Sequence, residues 1–219
     1  MAAQILVRDA WVPDPVRRAL KTYSPKSELG KIVRECLKYL PADLAADLVD
    51  RITSCVVVES SLAVVVFRHP DSLYRAGRGL VEDYGIVSRK VVTTAGVGFI
   101  VDAAQNLTEL ENMKYHGLGT NNTAESASDT TLNTELTTAY NPDNTRATGT
   151  TTEGASANIY KTVGTNTVDG SASVVEHGIF SQAATGGGVL LDRSVFSTVS
   201  LSSGDALQSS YELTFNSGG

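Results

Sequence analysis

The chain has 219 residues and a formal net charge of −6, with 6% aromatic and 19% charged residues. This length allows one large domain, or one domain and a smaller arm. The charge is uneven: residues 1–40 carry eight Lys or Arg against four Asp or Glu, whereas the only basic residues after His116 are Arg146, Lys161 and Arg193, against ten acids. An acidic body argues against nucleic acid as the main ligand. The asymmetry would help one subunit's arm bind another's body, but chance distribution on solvated faces is the simpler explanation.

No segment of the sequence predicts export or membrane insertion. The N-terminus lacks the apolar core of a signal peptide, and the longest apolar stretches, 55–58 and 62–67, are too short to span a bilayer. Cys36 and Cys55 are therefore expected to be two reduced, buried thiols in a protein assembled in a cytoplasm.

The first 54 residues predict an extended and helical arm. Pro13 and Pro15 disfavour helix in the residues before them. Trp11, the only tryptophan, either anchors in a neighbouring subunit, where tryptophan is enriched, or packs on its own domain.

Ser24 and Pro25 predict the start of a helix, and Pro41 ends it. One face is apolar and the other is mainly basic: the apolar residues are Leu29, Ile32, Val33, Cys36, Leu37 and Leu40, and the charged residues are Lys31, Arg34, Glu35 and Lys38. A second short helix follows, with Leu44, Leu48, Val49 and Ile52 on its apolar face. Both helices need a partner surface, so the predicted interface residues are Trp11, Leu29, Ile32, Val33 and Leu37.

Residues 56–58 and 62–67 predict two buried strands, or one long strand with a polar break. Residues 72–85 read as an exposed loop. Residues 87–104 predict a further strand, with Gly96 and Gly98 marking a bulge or a close backbone approach. Residues 106–115 fit a short helix or a strand edge, and a turn is expected at 117–119.

In residues 124–140, Leu132, Leu136 and Tyr140 are spaced by four, which allows a short surface helix. The many threonines of this segment also allow a strand, so both alternatives remain open. Residues 141–144, Asn-Pro-Asp-Asn, predict a turn; they lack the pattern of a Ca²⁺ loop. Residues 147–152 and 159–168 predict two more strands.

The C-terminal third predicts a β-hairpin over residues 174–180 and 189–196, because β-branched runs flank a glycine turn at 185–188. A third strand follows, with Leu207, Tyr211, Leu213 and Phe215 on one face and Ser209 as a polar interruption. We expect these strands to form an antiparallel meander. The predicted fold is mainly β: an antiparallel sandwich or barrel-like body over residues 55–219 with a short N-terminal helical arm.

The sequence contains little that predicts chemistry. It lacks a nucleophile elbow, a phosphate-binding loop and a dinucleotide fingerprint. His69, His116 and His177 are isolated, so a catalytic or metal role would require folding to gather them. Glu176 and Arg193 lie on adjacent strands of the predicted hairpin and fit a cross-strand ion pair. We therefore expect no catalytic residues, no cofactor and no metal.

Three segments carry a resemblance to a known family. Gly117-Leu118-Gly119-Thr120, Glu176-His177-Gly178-Ile179-Phe180 and residues 187–196 (Gly-Gly-Val-Leu-Leu-Asp-Arg-Ser-Val-Phe) resemble a C-terminal module of tailed-bacteriophage virion proteins. The resemblance covers about residues 91–219 and does not extend to the first ninety residues.

This resemblance implies a non-enzymatic virion structural protein. The preferred role is a capsid decoration or cement subunit that stabilises the head. A neck, tail or tail-fibre adaptor is the alternative, followed by a particle-borne carbohydrate-binding module or hydrolase. The expected partner is the major capsid protein or another virion protein, with homo-oligomerisation and without nucleic acid or membrane.

Overall fold

The computed structural model describes residues 57–70, 80–89 and 91–216. The described chain is built from strands, one α-helix and one 3₁₀ helix. The strands are β1 Val57–Phe67, β2 Val81–Ser88, β3 Val91–Val92, β4 Tyr115–Gly119, β5 Tyr140–Asn141, β6 Ala147–Thr148, β7 Thr150–Glu153, β8 Ile159–Val168, β9 Ala172–Phe180, β10 Leu190–Leu201 and β11 Ala206–Asn216. The α-helix, α1, is Thr94–Ala104, and the 3₁₀ helix is Leu110–Asn112.

The strands form two antiparallel sheets. The first sheet has the order β2-β1-β11-β8-β5, and β7 also pairs with β8. The second sheet has the order β3-β10-β9-β4-β6. The predicted mainly antiparallel β fold is confirmed.

Side chains from both sheets share one core. Along β11, Leu207, Tyr211 and Leu213 are buried at every second position, because alternate residues of a strand point to the same face. They belong to one cluster with Ile179 of β9 and Val199 of β10. Each such buried side chain contributes on the order of 1.5–3 kcal/mol by leaving water.

The two central strands of the second sheet are buried on both faces. Seven consecutive residues of β9, from Val174 to Phe180, are buried, and so are the first five of β10. A small second cluster of Leu132, Phe180 and Leu190, with Tyr115 against it, lies outside the main core. Leu132 belongs to the loop of residues 120–139, so this long loop covers part of the second sheet.

The strand predicted over residues 87–104 is wrong, because this segment forms β3 and then α1. The Thr93 hydroxyl accepts a hydrogen bond from the Gly96 N–H at 2.9 Å and so caps the helix. A Cβ at Gly96 would lie 2.6 Å from the Leu191 carbonyl oxygen. The glycine therefore marks a close approach of a helix to β10, not a bulge in a strand.

The predicted C-terminal meander is also wrong. Strands β9 and β10 form the expected hairpin, but β11 lies in the first sheet and pairs with β8. The turn at residues 202–205 carries the chain across the core instead of to a neighbouring strand. Buried residues of β10 and β11 therefore enter the same core from opposite sheets.

Several local predictions are settled as well. Residues 57–67 form one long strand, which is one of the two predicted alternatives. The structure also confirms the β9–β10 hairpin, the turn after Tyr140 and the strand predicted at 159–168. Residues 117–119 lie in β4 and not in a turn, and residues 81–85 of the predicted loop lie in β2. Residues 124–139 form neither a helix nor a regular strand, and Gly149 divides the strand predicted at 147–152 into two.

Candidate functional site

The segments that carry the phage resemblance meet on one face of β4, β9 and β10. In the β4–β9 register, Gly117 lies opposite Gly178 and Gly119 lies opposite Glu176. A Cβ at Gly119 would overlap the Glu176 carboxylate and would lie 2.6 Å from the Thr134 carbonyl oxygen. Glycine is needed here because the covering loop and a carboxylate both approach the backbone closely.

Glu176 and Arg193 form the predicted cross-strand ion pair. The guanidinium Nε donates to Glu176 Oε2 at 2.8 Å, and Nη2 lies 2.8 Å from the same oxygen. Both side chains are fully buried. A second carboxylate, Asp129 of the loop, lies 3.0 Å from Arg193 Nη1, so the guanidinium binds two acids at once.

The same pair holds the main chain of the loop at both of its ends. Arg193 donates to the carbonyl oxygens of Thr123 at 3.0 Å and Ala124 at 3.4 Å. The Glu176 carboxylate accepts from backbone N–H groups at 2.9–3.3 Å, those of Asn121, Asn133 and Thr134. Charged acceptors and donors make stronger hydrogen bonds than neutral ones. The loop is thus fixed through its backbone by two side chains of the sheet.

A second buried arginine, Arg146, connects Glu135, near the C-terminal end of this loop, to the β9–β10 turn. Its guanidinium makes a bidentate contact with Glu135, with Nη2 donating to Oε2 at 2.9 Å. It also donates to the carbonyl oxygens of Gln182 at 3.0 Å and Gly187 at 2.8 Å. The guanidinium carbon lies 3.4 Å from the centroid of the Phe180 ring, a stacking geometry that favours arginine.

Folding brings together two of the three histidines. His116 Nδ1 lies 3.0 Å from His177 Nε2, and His116 Nε2 lies 3.2 Å from the Thr162 hydroxyl in the first sheet. Both imidazoles are fully buried. Burial lowers the pKa of His116 to about 3, and burial together with the neighbouring His116 lowers the pKa of His177. The pair is therefore neutral at physiological pH and joins the two sheets.

Asp192 makes a second polar connection between the sheets. Ser60 of β1 donates to its Oδ2 at 2.7 Å, and Ser194 donates to its Oδ1 at 2.9 Å. Burial raises the pKa of Asp192 to about 6, although both serine hydrogen bonds act in the opposite direction. Desolvation is thus the larger effect on this carboxyl.

A third ionic cluster fixes the crossing from β10 to β11. Arg68 donates to Asp205 at 2.9 Å and to Glu82 at 2.6 Å. Asp205 in turn accepts from the backbone N–H groups of His69 at 2.8 Å and Ser202 at 2.9 Å. The cluster therefore joins β1, β2 and the turn at residues 202–205.

These clusters have the chemistry of structural pairs. Each of the three buried arginines is matched by carboxylates, so a substrate would have to displace protein contacts to reach it. Over the described residues, His, Cys, Asp and Glu do not form a group of three that could hold a metal ion. A surface groove of about 400 Å³ lies elsewhere and is lined by Thr152, Glu153, Ala157, Asn158, Ile159, Tyr160 and Phe215. Glu153 and Tyr160 are the ionisable groups of its lining.

The predicted interface residues Trp11, Leu29, Ile32, Val33 and Leu37 lie outside the described residues, as do Cys36 and Cys55 and the boundary at residue 54. The structure shows other exposed apolar side chains that sequence reasoning missed. They are on or beside β2 and along α1: Leu80, Val81, Tyr84, Ile86, Val97, Val101 and Leu107. The sequence signal for α1 is its nearly continuous apolar composition, which also fits the strand predicted over residues 87–104.

The chain matches no protein-family model, no curated protein and no solved structure. Among the described residues, α1 and the shorter 3₁₀ turn fall short of the length that a membrane-crossing helix requires.

Proposed function

We propose that this chain is a non-enzymatic structural subunit of a bacteriophage particle that binds the capsid as a decoration or cement protein. The observation that supports this proposal is the role of the resembling segments. Their glycines, Glu176 and Arg193 build a buried support for a loop and do not line an open cleft. Such a support suits a binding surface better than a reaction centre, because its charged groups are occupied by the backbone of the loop.

The supported loop is suited to binding without chemistry. Loops longer than about 12–15 residues without regular structure are uncommon and usually functional. Residues 120–139 form such a loop, with exposed Thr, Ser and Asn side chains over a backbone fixed by buried charges. A surface ordered before binding loses less conformational entropy when it meets a partner. A repeated capsid lattice is a partner that would use many identical, pre-ordered copies.

A neck, tail or tail-fibre adaptor is the alternative position in the particle. The two positions differ in copy number, because a lattice subunit follows the capsid symmetry whereas a neck or tail subunit forms a few rings or spikes. The mechanism is the same in both: surface burial against another virion protein, without a chemical step.

The experiment that tests this function is the number of copies per purified particle, measured by quantitative mass spectrometry against the major capsid protein. A ratio near one, or a simple fraction of one, supports decoration or cement. A ratio equal to a few rings or spikes moves the chain to the neck, tail or fibres. Absence from purified particles overturns the structural proposal altogether.

A second experiment tests cementing directly. Particles lacking the chain are incubated with the purified full chain, with a chain lacking residues 1–23, or with buffer, and the temperature of genome release is compared. We expect the full chain to raise this temperature and the shortened chain to bind with lower occupancy. Equal occupancy of the two chains contradicts a role for the arm in attachment.

A further inference from the structure

Helix α1 has an unusual surface: two valines, a glycine and an alanine are exposed on its outer side, beside exposed Thr94, Asp102 and Gln105. Val97 and Val101 are 47% and 52% exposed, and Gly98 and Ala104 are also exposed. The opposite side packs on β10 through Gly96 and Phe99. A surface helix normally carries polar residues on its outer side, and a helix that is apolar all round is normally buried. The exposed side of α1 therefore has the composition of a contact surface.

The end of α1 extends this surface. Asn106 adopts a left-handed conformation with φ of 59°. The Asn106 N–H donates to Ala103 O and the Leu107 N–H donates to Asp102 O, both at 3.0 Å. This is a Schellman motif, in which the residue at the Leu107 position characteristically packs back on the last helical turn. Leu107 is 71% exposed, and we call Val97, Gly98, Val101 and Leu107 the α1 face.

The charged residues of α1 and of the segment that follows it, to residue 112, are all negative. Residues 94–112 contain three acids, Asp102, Glu109 and Glu111, and no basic residue. All three side chains are exposed. An apolar surface with an acidic border selects a partner that is apolar in the centre and basic at its edges, because complementary charges set orientation and exclude wrong partners.

The size of the α1 face selects a helix as its partner. An 11-residue helix is about 16 Å long, and its outer side is far smaller than the roughly 800 Å² per partner of a standard protein interface. A single amphipathic helix lying along α1 matches this length. Such a partner would bury the exposed valines by the packing that joins helices in soluble proteins.

The chain itself contains a segment with these properties. Residues 25–40 are predicted to form an amphipathic helix whose apolar side includes Leu29, Ile32 and Cys36 and whose other side carries Lys31, Arg34 and Lys38. The arm joins the body at β1 in the first sheet, whereas α1 packs against β10 in the second. We propose that the α1 face binds residues 25–40 of a neighbouring copy of this chain.

Cys36 makes the proposal directly testable. In a Cys55→Ser background, Val101→Cys places a thiol in the α1 face, opposite the apolar side that contains the native Cys36. Isotope-labelled and unlabelled full chains are purified, mixed at low protein concentration and oxidised. The disulfide-linked peptides are then identified by mass spectrometry. The control is Ser203→Cys, an exposed position in the β10–β11 turn. We expect a bond between residue 101 of one copy and Cys36 of another, formed at least tenfold faster than with the control.

Three results overturn the proposal. Linking at the control rate shows that the arm does not bind this face. A bond formed within one chain shows that the arm covers its own helix. Linking between two Val101→Cys positions, without Cys36, shows that α1 faces pair with each other.

A charge-reversal series tests the acidic border separately. Glu109→Lys with Glu111→Lys is expected to slow the linking severalfold at low salt. Adding Lys31→Glu and Arg34→Glu to the same chain is expected to restore the rate, because opposite charges face each other again. Unchanged linking throughout the series contradicts the charge match. Since these measurements use purified chain, their failure is distinct from absence of the chain from particles.

Discussion

Replacing Arg193 with methionine removes one partner of the fully buried ion pair with Glu176. The methionine keeps most of the side-chain volume but leaves the Glu176 carboxylate buried without its counter-ion. Removing one partner of a buried pair costs about 3–5 kcal/mol, because the remaining charge is desolvated and uncompensated. Glu176 retains only its three backbone N–H donors, at 2.9–3.3 Å, which soften this cost without removing it.

The opposite change, Glu176→Gln, should cost less. Arg193 keeps Asp129 as a carboxylate partner at 3.0 Å, and its donors to Thr123 and Ala124 remain in place. The structure therefore predicts an order of destabilisation in which Arg193→Met exceeds Glu176→Gln. The double variant should cost less than the sum of the two, because the pair is already broken by either change.

The assay is urea unfolding of the full chain followed by far-ultraviolet circular dichroism, with thermal unfolding beside it. For a domain of this size each kcal/mol shifts the melting temperature by about 2–4 °C, so Arg193→Met should lower it by about 6–20 °C. The matched control is Lys161→Met, which breaks the half-exposed pair with Glu212 at 3.1 Å and should cost about 0–1 kcal/mol. If Arg193→Met is no more destabilising than Lys161→Met, the buried pair does not hold the loop in the way described.

Three further predictions follow from the packing and the buried titratable groups. Gly119→Ala should destabilise the fold by about 1–3 kcal/mol, since the added Cβ overlaps the buried carboxylate, whereas Gly170→Ala meets open space and should be near neutral in the same urea assay. Asp192 has a raised pKa, so it favours the folded state when protonated; this contribution is full below about pH 4 and is lost as the pH rises to about 6. Relative to wild type, Asp192→Asn should therefore gain about 3 kcal/mol between pH 4 and pH 7, and a flat difference would contradict the raised pKa. His116 and His177 have lowered pKa values, so their contribution to the free energy of unfolding is full above about pH 6.5 and is lost on acidification. NMR chemical shifts should show that both imidazoles are still neutral at pH 5. A titration midpoint above pH 6 in the folded protein would refute their burial.

The local sequence pattern was sufficient to predict a strand or hairpin where the alternation of apolar residues and the turn residues agreed. Alternation at Leu207, Tyr211 and Leu213 gave the inward face of β11, and the glycines before Val189 gave the hairpin. The ion pair of Glu176 and Arg193 was predictable because hairpin register fixes which side chains become neighbours.

Tertiary contacts decided what the sequence could not. Helix α1 contains valines, which favour strand, and glycines, which disfavour helix. Its Gly96 is required by contact with Leu191, a residue almost a hundred positions away. The placement of β11 in the opposite sheet depends on which faces the two sheets bury together. The contact between His116 and His177 joins strands separated by 61 positions, and single-sequence periodicity carries no information about such distances.

The way the covering loop is held has a consequence for sequence drift. Arg193 and Glu176 bind the loop through carbonyl and N–H groups, which every residue type except proline supplies in full. Apart from Leu132, Leu136, Asp129 and Glu135, whose side chains contact the body, the exposed positions of residues 120–139 can change without altering the loop's attachment. The exposed surface of this loop can therefore change in sequence while the sheets beneath it, and the path of the loop's backbone, stay the same.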